Sequence, residues 1–456
     1  MFILLTSFFL LGGCAKQEPI PTPLPNFNSL SESSEKSIES KWWKEFDDEN
    51  LNLLIEESLS QNFTLKAAKE RILQAQATLK YKNASNLPSI NASGGIGLYD
   101  EVKGTESKKD TYDASLKASY EVDFLGKRDD IDASATASFL ASNEAMQSVA
   151  ISIVSELSTA WFTLAQKEES LTLLEEQLHL ADKILKIAKL RLESGKNSIT
   201  DIWQQEQYIK SLLAQKIVLQ EDAQAQIRAI NILRGKSPIS DLALKPKLIA
   251  TLKPIEVGIP AVKLVNRPDV KQSFYKLQAF NADMSEAIKN QYPSLNVSMG
   301  LAVSSLQFSK LLDTIVASAI GALTSTLYDG GAKEALIEKT RSIAQEEAHN
   351  YAQTMLKAFG EAQEALRREN MQILYIRNID ERLLLADKTF KRQQEKYNYG
   401  TTDYLNVLTS QQSLQTLEQT KLSEQLKLIQ YRISLYRSLG GGFLNTDTAK
   451  ETGDTK

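Results

Sequence analysis

One cysteine (Cys14) and two histidines (His179, His349) in 456 residues cannot make a disulfide or a Cys/His zinc cluster within one subunit. Thiol and metal chemistry are set aside on that ground. Basic charge is equally short. Lys and Arg number 53 against 57 Asp and Glu, for a net charge of -4, so no positive field exists to hold a phosphate backbone and no nucleic-acid partner is expected. Beyond residue 13 there is no run of 18 or more strongly apolar residues, so no transmembrane helix is expected there. Convergent acids are missing too. Glu168-Glu169 and Glu175-Glu176 fall on helix faces that read as solvated, His179 and His349 lie on polar helix faces, and no enzyme chemistry is expected.

What is present begins with an apolar run over residues 1–13, shorter than the roughly 20 residues of a spanning helix, which resembles a secretory signal. No Lys or Arg follows Met1, so the basic part of such a signal would lie upstream. Leu11-Gly12-Gly13-Cys14 resembles the lipobox of bacterial lipoproteins, which implies cleavage before Cys14 and covalent lipid on it. Each buried acyl methylene adds about 0.8 kcal/mol of membrane affinity. No other cofactor is expected. Ala15 stands where an aspartate would imply retention at the inner membrane, and so points to the outer membrane. Residues 14–40, with Pro19, Pro21, Pro23 and Pro25, read as an extended tether.

The rest is one motif written twice. Shifted by 205 residues, Pro88-Ser89 falls on Pro293-Ser294, Gly126 on Gly331, Gly195 on Gly400 and Gly235 on Gly440. Each copy opens with a helical pattern, as in 62–87, and then switches to strict alternation. Ile90, Ala92, Gly94, Ile96 and Leu98 oppose Asn91, Ser93, Gly95 and Gly97. A charged loop is expected over Tyr99 to Asp113, then a strand with Ala114, Leu116, Ala118, Tyr120, Val122 and Phe124 on its apolar face. The second copy gives Leu295, Val297, Met299, Leu301 and Val303 on one strand and a less regular strand from about Ala317 to Leu327, where the absence of charge from Thr314 to Tyr328 makes a buried helix the rival reading. Strands of this length, apolar on one face and polar on the other, fit a transmembrane barrel with a wet lumen. Four of them cannot close one, so a barrel must be shared between subunits.

Helical spacing then runs over 127–192 and 332–397, with seams such as Leu174, Leu178, Ala181, Leu185, Ala188 and Leu192 at alternating three- and four-residue steps. Sixty residues at 1.5 Å each reach on the order of 90 Å, beyond a compact domain. Gly195 and Gly400 end these helices and returning helices follow, making one hairpin per copy.

Together these features resemble the TolC-like outer-membrane efflux channels. The local motifs are Trp42-Trp43 with Phe46 and Asp48, the strand exits Tyr120 to Gly126 and Leu327 to Gly331, Asn266-Arg267-Pro268-Asp269, the turns Arg191 to Gly195 and Lys396 to Gly400, and the close at Leu435 to Gly441. The resemblance implies a mainly α fold with an internal twofold repeat. Four strands per protomer would join a shared twelve-stranded transmembrane β-barrel, continued by a long periplasmic α-helical barrel. On it the chain divides into a signal peptide at 1–13, a lipidated tether at 14–40, repeats at 41–260 and 261–442, and a polar tail at 443–456. The strands lie near 90–124 and 294–328, and the hairpins near 127–233 and 332–439.

The implied function is a passive export duct for small molecules in the outer membrane. The implied partners are two further copies in a homotrimer, outer-membrane lipid, a periplasmic membrane-fusion adaptor and an inner-membrane pump. A type I protein-secretion duct and a lipid-anchored periplasmic coiled-coil scaffold are the rival readings. Leu116, Tyr120, Val122, Phe124, Leu295, Val297 and Leu301 would face lipid. The periplasmic tip and aperture map to Tyr397, Gly400, Asp403, Asn406 and Thr409, with Gly195 and Asp201 in the first copy. Relatives commonly carry aspartates where this chain has Asn406 and Thr409, which leaves Asp403 and Asp201 to supply carboxylates. Trp42 and Trp43 are read as core residues.

Overall fold

The computed structural model describes residue 20 and residues 41–99, 109–249, 252 and 264–441, so Cys14 and the lipidated-tether reading lie outside the described residues. A short 3-10 turn, Trp42–Phe46, leads into α1 (Glu49–Gln61) and α2 (Phe63–Ala84). Strands β1 (Ser89–Tyr99) and β2 (Lys109–Val122) follow, then α3 (Lys127–Glu193) and α4 (Ile199–Leu233). The second copy supplies α5 (Pro268–Lys289), β3 (Ser294–Ser305), β4 (Ile315–Thr324), α6 (Ala332–Asn398) and α7 (Tyr404–Ser438). Both ends of α2, α3 and α4 recur 205 residues later as the ends of α5, α6 and α7. The repeat seen in the sequence is therefore a repeat of structure.

Two compact units can be distinguished. One is built on Glu70–Glu144 and Lys271–Thr354 and holds the sheet, in the order β1-β2-β3-β4 with every neighbouring pair antiparallel. Three details depart from the sequence reading. The expected loop at Tyr99 to Asp113 is strand from Lys109 onward, because Lys109 to Asp113 pair with Tyr99 to Gly95. Glycine makes room there: a Cβ on Gly95 would lie 2.7 Å from the Asp113 carboxylate, so the acid lies flat across the neighbouring strand. Phe124 falls outside β2, since the Asp123 carboxylate accepts the amides of Leu125, Lys127 and Arg128 and turns the chain into α3. Finally, β4 stops at Thr324, short of Leu327 and Tyr328.

The other unit is built on the segment ending at Lys69, on Ala145–Val270 and on the chain from Met355. Its core gathers Trp42, Trp43, Phe46, Val154, Leu157, Trp161, Phe162, Ile429 and Tyr436, all buried. Trp42 stacks on Tyr436 at 5.1 Å between ring centroids, and Phe46 meets Phe162 edge-on at 5.0 Å. Asp48 serves two elements, capping α1 through the Leu51 amide (3.0 Å) and accepting the Trp161 indole N–H (2.7 Å). The pair Trp42 and Trp43 is core, as its reading had it.

Here α3 corrects the sequence in one respect. It contains an 18-residue window with mean hydropathy 1.3, apolar enough to cross a membrane, but 67% of that window is buried among the described residues. Over that window it is a core helix with few charges. Glu169 is not on a solvated face either: its carboxylate accepts the Leu248 amide at 3.0 Å, because the connector packs over it.

The repeat extends to how each hairpin is tied off. Asn62 donates to the Leu233 carbonyl (2.8 Å), and its repeat mate Arg267 donates to the Ser438 carbonyl (2.8 Å) and to Asp269 and Glu361. Gly235, at φ +72°, sits where a Cβ would come within 2.6 Å of the Gln61 carbonyl oxygen. Gly235→Ala should cost at least the 1–2 kcal/mol of a left-handed alanine, roughly, and more because backbone must move. Thermal unfolding of the variant checks this.

Candidate functional site

The sheet sorts its side chains by chemistry. Leu116 pairs with Ala92 and Leu301, and Leu301 with Ala317; Ile90, Ala118, Met299 and Ala319 form the next row, and Val122, Leu295 and Leu323 another. This face is continuous and apolar across all four strands, exposed at Ile90, Leu116, Met299, Leu301 and Leu323 and half-buried at Val122 and Leu295. Tyr120 and Val297 pair on it near the helix side. On the opposite face Ser89, Ser119 and Ser298 stand in one row and Asn91, Lys117, Gly300 and Ser318 in the next. Serine hydroxyls bridge strands there, Ser89 to Ser119 at 2.9 Å and Ser93 to Ser115 at 2.8 Å. Strand β4 departs furthest from the rule, placing Val316, Ile320 and Ala322 on the polar side. Among the described residues β1 and β4 have no second strand partner. Such edges, with that much apolar surface, demand cover.

The hairpin turns are built alike. Gly195 (φ +66°) and Gly400 (φ +75°) let the Lys196 and Thr401 amides reach back to the carbonyls of Arg191 (2.8 Å) and Lys396 (2.9 Å), which closes each helix. The helices that return differ at their starts. Asp201 bonds the Ser198 amide at 3.1 Å in a capping box, so its carboxylate is engaged by the fold. Asp403 occupies the cap position of α7 and makes no side-chain cap bond. It is exposed, as are Asn406 and Thr409 one and two turns along α7.

Side chains tie the two hairpins together above these turns. Arg191 donates to the Tyr397 carbonyl (2.8 Å) and lies over the Tyr397 ring (4.4 Å), whose hydroxyl donates to Asn197 (3.0 Å). Tyr404 donates to Gln205 and Tyr208 to Gln415. Gln177 donates to Glu418 at 3.0 Å. Burial, followed by the charge of Glu418, pushes the Tyr208 hydroxyl up to about 12, so it stays a donor throughout the physiological range. None of these pairs was legible in the sequence, because each joins residues 199 to 241 apart.

Burial, then the charges of Glu176 and Asp387, hold the Glu418 carboxyl above the usual carboxylate range, against the Gln177 donor that lowers it. The sign follows from linkage. A carboxyl raised in the folded state favours folding while protonated, and that contribution is lost as pH rises through the raised value. Glu418→Gln should therefore raise the unfolding midpoint near neutral pH by about 2 °C. The gain should vanish in mild acid, which a pH series of thermal scans reads directly.

The family model described as "Outer membrane efflux protein" matches residues 54–235 and 260–441. Probable outer membrane lipoprotein SilC of Salmonella typhimurium is 26% identical over 96% of this chain and 98% of its own length. Cation efflux system protein CusC of Escherichia coli is 25% identical over 91% of each. Among solved structures, the Campylobacter jejuni CmeC outer membrane channel superposes with a TM-score of 0.85 at 23% identity, over 93% of this chain and 94% of that one. The fold is TolC-like.

Proposed function

The chain belongs to the outer membrane efflux protein family and is an outer-membrane channel component of an efflux system, and from that premise we propose how it is assembled and what it joins. Three copies form the unit, each giving four strands to one twelve-stranded barrel. The observation that carries this is the open sheet with one continuous apolar face and two edges without a strand partner among the described residues. Since β4 runs opposite to β1, the next copy's β1 continues the antiparallel alternation at that edge. Two copies would give eight strands, whose interior side chains fill; twelve leave water inside.

Leu116, Tyr120, Val122, Leu295, Val297 and Leu301 then face lipid, and the serine, asparagine and lysine rows face the lumen. The ten residues of β4, at about 3.4 Å each and tilted by about 45°, cover a hydrocarbon band of about 25 Å. Covalent lipid on Cys14 adds an anchor, a reading supported by the lipobox and by the relative named as a lipoprotein.

The turns at Gly195 and Gly400, with Asp201, Tyr397, Asp403, Asn406 and Thr409, form the periplasmic entrance. A periplasmic adaptor docks there and connects the duct to an inner-membrane pump that supplies the energy. The exported cargo is small molecules. Several Asp403 carboxylates brought together at the entrance favour cations.

Purified protein in a planar bilayer tests the reading. Stepwise conductance is expected, with a cation preference that Asp403→Asn reduces. Well-folded trimers without conductance would instead make the protein a lipid-anchored scaffold.

A further inference from the structure

Two grooves flank α7, and they differ in charge. The one shared with α3 and α6 gathers the carboxylates of Glu169, Glu176, Asp380, Asp387 and Glu418, with Lys421 paired to Asp380 at 2.8 Å. The other lies between α7 and the hairpin of α3 and α4 and encloses about 580 Å³, within the roughly 300–1,000 Å³ of small-molecule sites. Glutamines from all three helices line it: Gln177, Gln215, Gln412, Gln415 and Gln419. Among the described residues Glu424 brings its one charge, and that carboxylate is already held by Lys427 (2.6 Å) and Gln372 (2.8 Å). The second groove is therefore neutral and built for hydrogen bonds.

Its amides are not all spent within the chain. Gln415 is 4% exposed, and its Oε1 accepts the Tyr208 hydroxyl. That bond leaves Nε2 for the groove, where it meets no acceptor among the described residues; Gln419 Nε2, one turn on, meets none either. A buried N–H without an acceptor costs about 1–3 kcal/mol, so the pair favours a ligand with carbonyl or hydroxyl oxygens. Thr416, Thr420 and Ser423 also line the groove, and their hydroxyls both donate and accept. Leu212 and the Tyr208 ring add apolar surface for a carbon skeleton.

The groove opens on the side of α7 that carries the entrance residues. Asn406, Thr409, Ser413, Thr416, Thr420 and Ser423 follow one another at alternating three- and four-residue steps, which is one helix face. The first four are exposed and the last three line the groove. No charge interrupts that face. Gln415 stands about 18 Å along α7 from Asp403, past the carboxylate at the tip.

We propose that this groove is a cargo-binding site in the wall of the duct, for neutral molecules that carry several hydroxyl or amide groups. Gln415 and Gln419 donate to the ligand's oxygens, and Thr416 and Thr420 exchange hydrogen bonds with its hydroxyls. Ions fit poorly, because the groove's one carboxylate is already paired. Weak binding suits a duct, which must release what it detains. The site rests on the duct reading of the preceding section and adds the chemistry of the cargo.

The probe is N,N′-diacetylchitobiose, a neutral disaccharide with amide carbonyls, added to the full-length protein in a planar bilayer. Brief interruptions of the current are expected. Gln419→Leu, at a half-buried position, should weaken the blockage about fivefold, and its combination with Gln415→Leu should weaken it on the order of thirtyfold. Circular dichroism checks that both variants stay helical. The deacetylated diamine lacks the amide carbonyls, and any blockage it causes should be insensitive to the two substitutions. Steady current in saturating neutral sugar, blockage that survives both substitutions, or a diamine equally sensitive to them would overturn the site and leave the duct standing. If the protein conducts nothing, the duct reading falls, and saturation-transfer NMR of the same sugar on detergent-solubilised protein decides the groove. A signal that the double variant loses supports the site, and no signal refutes it.

Discussion

Glu369→Leu alone is expected to cost about 3–5 kcal/mol, whereas Glu369→Leu combined with Arg432→Ile should leave stability unchanged or raise it by about 1–4 kcal/mol. The two side chains form an ion pair in the core between α6 and α7, with only 4% and 5% of their surfaces exposed. Arg432 gives Nε (3.0 Å) and Nη2 (2.5 Å) to the same carboxylate oxygen, Oε1, and Oε2 has no hydrogen-bond partner. Desolvation of the two charges is thus offset through one shared carboxylate oxygen, with Tyr436 a further partner of Arg432. Removing Glu369 leaves the guanidinium buried without its counter-charge; removing both leaves no buried charge.

The protein carries the comparison within itself. One repeat earlier the same two positions are Leu164 and Ile227, packed in the main core. The double substitution writes the first hairpin's solution into the second. Unfolding of the purified protein in detergent, followed by circular dichroism against denaturant, gives the numbers. A double variant that falls as far as the single one would defeat the argument. The asymmetry also has a use: a hairpin seated in its sister's place would set Glu369 against an apolar partner, so the pair makes the two copies non-interchangeable.

That asymmetry also marks how far a sequence of this kind can be read. The helix ends at Gly195 and Gly400 are local signals, as is the alternation in Ile90 to Leu98, and the 205-residue register shows that they occur twice. What needed coordinates was decided by partners distant in the chain. Lys109 to Asp113 look like loop because they are charged, yet they are strand because β1 offers Gly95 to Tyr99 as a ladder. Phe124 continues the apolar alternation, but Asp123 spends its carboxylate on the amides of α3 and ends the strand first. Glu169 reads as solvated until the connector at Leu248 lies over it. At the tips, Asp201 and Asp403 each offer a carboxylate, although the repeat sets Asp201 against Asn406 and Asp403 against Ser198. Only the first is drawn into a capping box, which leaves the Asp403 carboxylate exposed and without a cap bond.

The second large effect belongs to the sheet. Leu301→Arg should destabilise the folded, membrane-inserted protein by about 2–4 kcal/mol per copy, while Ser298→Arg, three residues away on the same strand, should cost about 0–1 kcal/mol. Leu301 stands midway along β3 between Leu116 and Ala317, at the centre of the apolar face, and half of its side chain has no protein cover. If lipid supplies that cover, a guanidinium there must reach the headgroups or draw water into hydrocarbon. Ser298 stands between Ser119 and Ile320 on the other face, where a wet lumen would hydrate an arginine in place. Neither position makes a core contact, so a purely soluble sheet would treat the two substitutions alike. Folding into lipid vesicles, read as the heat-resistant oligomer on a gel across a urea series, separates the cases. In a barrel shared between copies each molecule would bring one arginine, so the Leu301 penalty would multiply with the number of copies and few oligomers should survive it. Equal losses for the two variants would mean that the apolar face meets something other than lipid.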